Sequence, residues 1–89
     1  MKIHSTAIIH DKSKIDDSVE IGPFCIIDED VEIKKGTKLL SHVVLRGPTI
    51  IGEDNIFYQF STIGEDTPDK KFKGEKTKLE IGDRNIFRE

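Results

Sequence analysis

The sequence has 89 residues, which is room for one domain and no second core. Hydrophobic residues make up 35% of the chain and charged residues another 35%, so a conventional globular core would be thin. A formal net charge of −3 argues against a nucleic-acid module, and a single cysteine excludes a disulfide framework. No apolar run could span a bilayer, and the first residues lack the apolar segment of a secretory signal. We therefore expect a soluble, cytoplasmic protein.

A six-residue repeat begins at Ile3 and continues through most of the chain. Every sixth position up to Ile63 is large and apolar, which has a chance probability on the order of one in a hundred thousand. The phase fails at Asp69 and Glu75 and returns at Ile81 and Phe87. The members of this first series are Ile3, Ile9, Ile15, Ile21, Ile27, Ile33, Leu39, Leu45, Ile51, Phe57 and Ile63.

Two further series share this period. Four residues after each large residue lies a position that is mainly small or β-branched, namely Ala7, Ser13, Val19, Cys25, Val31, Thr37, Val43, Thr49, Asn55 and Ser61. Two residues after each large residue lies a turn former or a solvated side chain, namely Ser5, Asp11, Asp17, Pro23, Glu29, Lys35, Ser41, Gly47, Glu53 and Gln59. The small residue and the next large one are two apart, so on a strand they point to the same side.

The pattern predicts short strands separated by bends. Glycine in the Ile-Gly pairs at Gly22, Gly52, Gly64 and Gly82 is expected to permit the bend. Such strands bury their inward side chains only by stacking, and three strands give a coil of about 18 residues in an all-β parallel β-helix. The periodicity does not fix the handedness of the coil. An all-β sandwich with variable loops would not keep a fixed phase over this length.

The interruption of the repeat divides the domain. Residues 1–64 are predicted to form regular coils, 65–78 a charged loop inserted at a corner, and 79–89 a resumed coil. A solvated surface loop is the simpler interpretation of 65–78, whereas solenoids often place functional loops at such corners.

One outer face of the predicted prism is apolar. Stacking by 18 aligns Phe24, His42 and Phe60 in one outward column above Thr6, next to a column formed by Ile8, Ile26, Val44 and Thr62. The next face instead carries Lys12, Lys14, Asp30 and Glu32. Exposed apolar patches usually mark contacts, so this face is predicted to pack against other subunits.

The remaining candidate side chains are predicted to have no catalytic role. His42 could be a base or a metal ligand, as in some hexad-repeat carbonic anhydrases, but it has no ligand partners at a matched spacing, and interface packing is the favoured interpretation. Cys25 occupies an inward position and is predicted to be a buried, inert thiol. Tyr58 and Arg46 are predicted to be surface or interface side chains, with these alternatives open.

Several segments together resemble one family. They are IGPFC (21–25), SHVV (41–44), YQFSTIGED (58–66), KFKGE (71–75) and IGDRNIFRE (81–89). With the hexads, they resemble the N-terminal part of the UDP-N-acetylglucosamine acyltransferases, the family that begins lipid A synthesis. The resemblance implies a left-handed parallel β-helix that forms a homotrimer, with active sites between subunits.

The resemblance also implies an activity. In the family, a 3-hydroxyacyl group moves from acyl carrier protein to the 3-hydroxyl of UDP-N-acetylglucosamine, with a histidine as general base and no metal or organic cofactor. The family's catalytic histidine lies on a later coil, and His4, His10 and His42 match none of its catalytic positions. The family's D-x-K motif falls on Asp69, implied to accept a hydrogen bond from the glucosamine, and Lys71, implied to contact a phosphate or carbonyl oxygen.

Three hypotheses follow. The chain is the scaffold and substrate-loop portion of such an O-acyltransferase and is inactive alone, since no histidine follows His42. Alternatively, it is a non-catalytic β-helix scaffold or trimerisation fragment. A third possibility is the related enzyme that N-acylates a later lipid A intermediate. That enzyme carries a uridine-binding domain ahead of its hexads, whereas the hexads here begin at Ile3.

Overall fold

The described part of this computed structural model, residues 2–64 and 79–88, is built only from short β-strands, turns and bends. Within these residues there is no helix that could serve as a membrane span. The predicted loop at 65–78 lies outside the described residues. The strands are β1 (Lys2–Ile3), β2 (Ile8–Ile9), β3 (Lys14–Ile15), β4 (Glu20–Ile21), β5 (Ile26–Ile27), β6 (Val31–Ile33), β7 (Lys38–Leu39), β8 (Val44–Leu45), β9 (Thr49–Ile51), β10 (Ile56–Phe57), β11 (Thr62–Ile63), β12 (Leu79–Ile81) and β13 (Ile86–Phe87).

The strands form three parallel sheets that are the faces of a prism. Face A contains β1, β4, β7, β10 and β13; face B contains β2, β5, β8 and β11; face C contains β3, β6, β9 and β12. Residues paired between neighbouring strands of a face lie 18 positions apart in the sequence, as Ile26 and Val44 do. The coil therefore has the predicted length. Across the interruption the spacing is 30, because Ile51 pairs with Ile81. The prediction of a parallel β-helix is confirmed.

The first and second series of the repeat form the core. From Ile21 to Phe57 every member of the large series is at most 3% exposed, and from Val19 to Ser61 every member of the small series is at most 2% exposed. Burial is incomplete only toward the ends, where Ile3 is 43% exposed. A side chain on the prism axis is covered by the coils above and below it, and the outermost positions have such a neighbour on one side only.

Polar members of the small series are buried because they bond to the backbone, either within their own coil, as Thr49 does to the Arg46 carbonyl, or on a neighbouring coil. The Thr37 hydroxyl donates to the Gly52 carbonyl at 2.9 Å. The Asn55 amide donates to the Gly82 carbonyl at 2.8 Å and accepts from the Asn85 N–H at 2.8 Å. In residues 2–64 and 79–88 every buried side-chain nitrogen and oxygen has a hydrogen-bond partner, which removes the main cost of burying them.

Turns lie where the third series predicts them, but the role assigned to glycine is wrong at several positions. Of the four Ile-Gly pairs, only Gly64 has a positive φ, of 80°. Gly22 is needed for a different reason, because a Cβ there would overlap the carbonyl oxygen of Leu40 on the next coil. The left-handed conformation instead falls on the second residue of several turns, including Phe24 and His42.

Candidate functional site

An aromatic column stands at the corner between faces A and B. The rings of Phe24 and His42 are 5.1 Å apart between centroids, and those of His42 and Phe60 are 5.2 Å apart. All three residues have positive φ values, between 53° and 66°. Phe24 and Phe60 are 55% and 59% exposed, so this stack is presented to the outside. We call Phe24, His42 and Phe60 the aromatic corner.

Face B continues this apolar surface. Ile8, Ile26 and Val44 occupy successive coils in one register column, which ends at Thr62. Ile8 is 65% exposed and Ile26 is 37% exposed, while Val44 is half-buried. The predicted columns are therefore both present, and we call Ile8, Ile26 and Val44 the face B patch.

Polar and charged groups dominate the next corner and much of face C. The Arg46 guanidinium lies 3.6 Å from the Asp28 carboxylate, and Nε2 of His10 lies 3.6 Å from the Glu29 carboxylate. On face C, Lys14 pairs in register with Glu32. An exposed ion pair such as that of Arg46 with Asp28 contributes little to stability, but it keeps the surface hydrated. The outer side of face C is thus largely charged where that of face B is apolar, as the sequence predicts.

The charged segment 65–78 is attached at this same corner. It follows Gly64, one residue beyond β11 on face B, and it leads into Leu79, the first residue of β12 on face C. The Leu79 N–H donates to the Pro48 carbonyl at 3.0 Å. Asp69 and Lys71, the predicted substrate-binding residues, lie outside the described residues. The structure does show where their segment begins, which is the edge of face B that borders face C.

The three histidines have different surroundings in the described part of the chain. Nδ1 of His4 lies 2.9 Å from the Thr6 hydroxyl, and His10 lies beside acidic side chains at the surface. Within residues 2–64 and 79–88, no group of three or more His, Cys, Asp or Glu residues could hold a metal ion. Burial raises the pKa of the Cys25 thiol, which fits the predicted inert role.

Sequence reasoning missed a second exposed apolar area, on face A. Leu40 is 39% exposed and Ile86 is 59% exposed. Tyr58, which is half-buried, lies beneath the Arg88 guanidinium at 4.5 Å from the ring centroid. The signal was present in the sequence, since Leu40 and Tyr58 are 18 residues apart and each precedes a member of the aromatic corner by two residues.

Comparison with known proteins was made by sequence and by structure. No family model matches the chain. The acyl-[acyl-carrier-protein]–UDP-N-acetylglucosamine O-acyltransferase of Saccharophagus degradans is 58% identical over 87 residues, which is 98% of this chain and 34% of that protein. The protein of the same name from a Psychrobacter species is 50% identical over 88 residues, covering 99% of this chain and 34% of the relative.

Solved structures give the same result. The UDP-N-acetylglucosamine O-acyltransferase of Moraxella catarrhalis superposes with a TM-score of 0.92 at 49% identity, covering 100% of this chain and 35% of that one. The corresponding Acinetobacter baumannii structure gives 0.90 at 54% identity, covering 98% and 34%.

The chain thus spans about a third of the length of the relatives it matches. The match identifies the prism as the left-handed β-helix that the resemblance implied. In sequence and in structure, the chain matches the N-terminal third of the UDP-N-acetylglucosamine O-acyltransferase family.

Proposed function

We propose that this chain is the N-terminal scaffold and substrate-loop part of a cytoplasmic acyltransferase. The enzyme would move a 3-hydroxyacyl group from acyl carrier protein to the 3-hydroxyl of UDP-N-acetylglucosamine, the first step of lipid A biosynthesis. One observation supports this above all. The 58% identity to a relative named for that reaction extends over 98% of the chain, on both sides of the interrupted repeat.

The prism supplies rigidity to this function. Each coil is bonded to the next along all three faces, so the two ends of the 65–78 segment are anchored in different sheets of one stack. Catalytic and binding groups are often placed on loops that a rigid scaffold positions. We assign this positioning role to the corner formed by Gly64 and Leu79.

Asp69 and Lys71 are the proposed substrate contacts. A carboxylate at Asp69 would accept a hydrogen bond from the glucosamine, and an ammonium at Lys71 would stabilise negative charge on a phosphate or carbonyl oxygen. Both contacts would orient the substrate rather than transfer a proton. The general base would come from a coil beyond the matched third, because His4, His10 and His42 all precede the loop and match no catalytic position.

The aromatic corner and the face B patch are the proposed contact with the other subunits of a homotrimer. Phe24, Ile26, His42, Val44 and Phe60 are the residues we assign to it. An aromatic stack more than half exposed in the free chain gains stability when another subunit covers it, since apolar burial contributes about 25 cal/mol per Å². The segment 65–78 starts at the far edge of face B, which would bring it to the boundary with a neighbouring subunit.

A chimera tests the proposed activity. Residues 1–89 would replace the matching third of the Saccharophagus degradans acyltransferase, and acyl transfer to UDP-N-acetylglucosamine would be measured. We expect turnover by the chimera, and at least tenfold lower kcat/KM in the Asp69→Ala and Lys71→Ala forms. The purified 89-residue chain should show no turnover.

Two outcomes would contradict these assignments. A folded chimera without activity would favour the alternative function, a non-catalytic scaffold or trimerisation fragment. Full activity in both loop variants would remove Asp69 and Lys71 from the substrate site. For the subunit contact, Phe24→Glu combined with Phe60→Glu should abolish the chimera's trimer in sedimentation equilibrium, and an undiminished trimer would refute the assigned contact.

A further inference from the structure

The charged segment that interrupts the repeat is anchored at both ends on one turn of the preceding coil, where β8 leads into β9. Before the segment, the Arg46 N–H donates to the carbonyl of Ile63, the last residue of β11, at 3.0 Å. After it, the Leu79 N–H donates to the Pro48 carbonyl at 3.0 Å. We call this turn, residues 46–49, the seat.

Thr49 is the residue of the seat that lies next to both ends of the segment. Its hydroxyl donates to the Arg46 carbonyl at 2.5 Å. The same carbonyl oxygen lies so close to Gly64 that a Cβ there would overlap it, and that Cβ would also crowd the Thr49 hydroxyl. On the other side, Thr49 is the register partner of Leu79 in face C.

The seat is itself fixed to the coil before it. Thr49 is 1% exposed, and its N–H donates to the Asp30 carbonyl at 3.0 Å. A Cβ at Gly47 would overlap the carbonyl oxygens of Glu29 and Asp30, so the turn lies directly on its neighbour. A side chain held by packing and hydrogen bonds on a rigid element can keep another group in a precise position.

The backbone of Gly64 determines the direction in which the chain leaves face B. Its φ of 80° is in the left-handed region, and the Arg46 carbonyl occupies the space that a side chain would need. The position of that carbonyl is in turn set by the hydroxyl of Thr49. The start of the segment is therefore connected to a buried hydroxyl in the prism.

We propose that Thr49 is a positioning residue for the substrate contacts of the acyltransferase. By fixing both ends of the segment, it sets the position from which Asp69 and Lys71 reach UDP-N-acetylglucosamine. Displacing such a contact by about 1 Å costs on the order of 100-fold in rate, so a residue can govern substrate binding without touching the substrate. This inference rests on the proposed function and adds to it a residue of the prism interior.

Substitutions of Thr49 in the chimera described above test the role of the hydroxyl. Thr49→Val removes the hydroxyl and keeps the shape of the side chain, whereas Thr49→Ser keeps the hydroxyl. The matched control is Thr37→Val, which removes a buried hydroxyl bonded to the Gly52 carbonyl at the corner between faces C and A.

The expected effect is on substrate binding. In Thr49→Val we expect kcat/KM for UDP-N-acetylglucosamine to fall about fivefold, mainly through a higher KM, as the loss of one buried hydrogen bond implies. Thr49→Ser and Thr37→Val should both stay within about twofold of the parent chimera. An equal loss in Thr37→Val would show a general effect on stability and would overturn the inference.

A combination with the loop variants tests whether Thr49 acts through the segment. In a chimera that already carries Asp69→Ala and Lys71→Ala, Thr49→Val should lower kcat/KM less than about twofold, because the contacts that it positions are gone. An undiminished loss in that background would overturn the inference. If Thr49→Val does not fold, Gly64→Ala disturbs the same contact from the other side and should raise KM in its place, and an unchanged KM would count against the inference.

Amide exchange of Leu79 provides a readout that does not depend on turnover. In the isotope-labelled chain we expect this amide to exchange about tenfold faster in Thr49→Val than in Thr37→Val, since only the first loosens the seat that accepts its hydrogen bond. Equal protection would overturn the inference and leave the proposed function in place. A parent chimera without turnover would overturn both.

Discussion

Two adjacent isoleucines in β9 test the assignment of inward and outward positions. Ile51 belongs to the first series and is fully buried, whereas Ile50 points outward on face C and is half-buried. Both residues lie in the same strand, so Ile51→Ala and Ile50→Ala remove the same atoms and the same preference for strand conformation. Their difference isolates the contribution of the core.

The magnitude follows from the environment of each side chain. Replacing Ile by Ala removes three carbon atoms, which corresponds to about 2.4 kcal/mol of transfer free energy at about 0.8 kcal/mol each. At Ile51 a cavity adds to this cost, because Ile33 below and Ile81 above are held in their own coils. We expect Ile51→Ala to lower the free energy of unfolding by about 3–4 kcal/mol. For Ile50→Ala, half-buried and open to solvent, we expect about 1 kcal/mol.

Urea denaturation followed by circular dichroism at one fixed protein concentration measures both values. With an m-value of about 1–3 kcal/mol per molar, the midpoints of the two variants should differ by about 1 M or more. Equal losses, or a larger loss at Ile50, would refute the assignment of every sixth residue to the prism axis.

Of three further predictions, two concern contacts between coils and one concerns a turn. Gly22→Ala should destabilise the fold by about 3 kcal/mol in the same assay, because the new Cβ overlaps the next coil; a neutral effect would contradict the close approach. Asn55→Ala should cost about 1–3 kcal/mol, since it breaks two inter-coil hydrogen bonds, and an unchanged midpoint would contradict their role. Hydrogen bonds from the backbone and then the hydroxyl of Ser18 lower the pKa of Asp16 in the folded state. The stabilisation is therefore complete above the pKa that Asp16 has in the unfolded chain, and it is lost as pH falls through the lower pKa of the folded state. Ser18→Ala should therefore raise the pKa of Asp16 in an NMR titration, and an unaltered pKa would contradict the assigned cause.

The strand register could be predicted from the sequence because one period determines it. In a three-sided coil built from six-residue repeats, a side chain is followed after 18 residues by another on the same face one coil higher, so Ile33 and Ile51 have to stack once the prism closes. The outward columns follow from the same 18-residue period, which is why the aromatic corner could be predicted. The handedness required the family resemblance, since no property of the hexad itself selects it.

Other features depend on contacts between coils that composition does not reveal. Glycine in a turn suggests conformational freedom, yet Gly22 is required by the carbonyl of the next coil, and Phe24 and His42 adopt the left-handed conformation instead. Asn55 looks misplaced among small core residues until its bonds to the following coil are seen. The sequence also places Asp69 and Lys71 in a segment without the repeat, and the periodicity that predicts the coils says nothing about where such a segment points.

The central claim is that residues 18 apart lie directly above one another inside a three-sided prism. Nuclear Overhauser effects between methyl groups of the isotope-labelled chain test it most directly. The account predicts cross-peaks between Ile33 and Ile51 and between Ile27 and Leu45, with none from either inward pair to the outward methyl groups of Ile8. A folded chain that lacks the two inward cross-peaks would contradict the stacked-coil architecture and, with it, the positioning role proposed for the corner formed by Gly64 and Leu79.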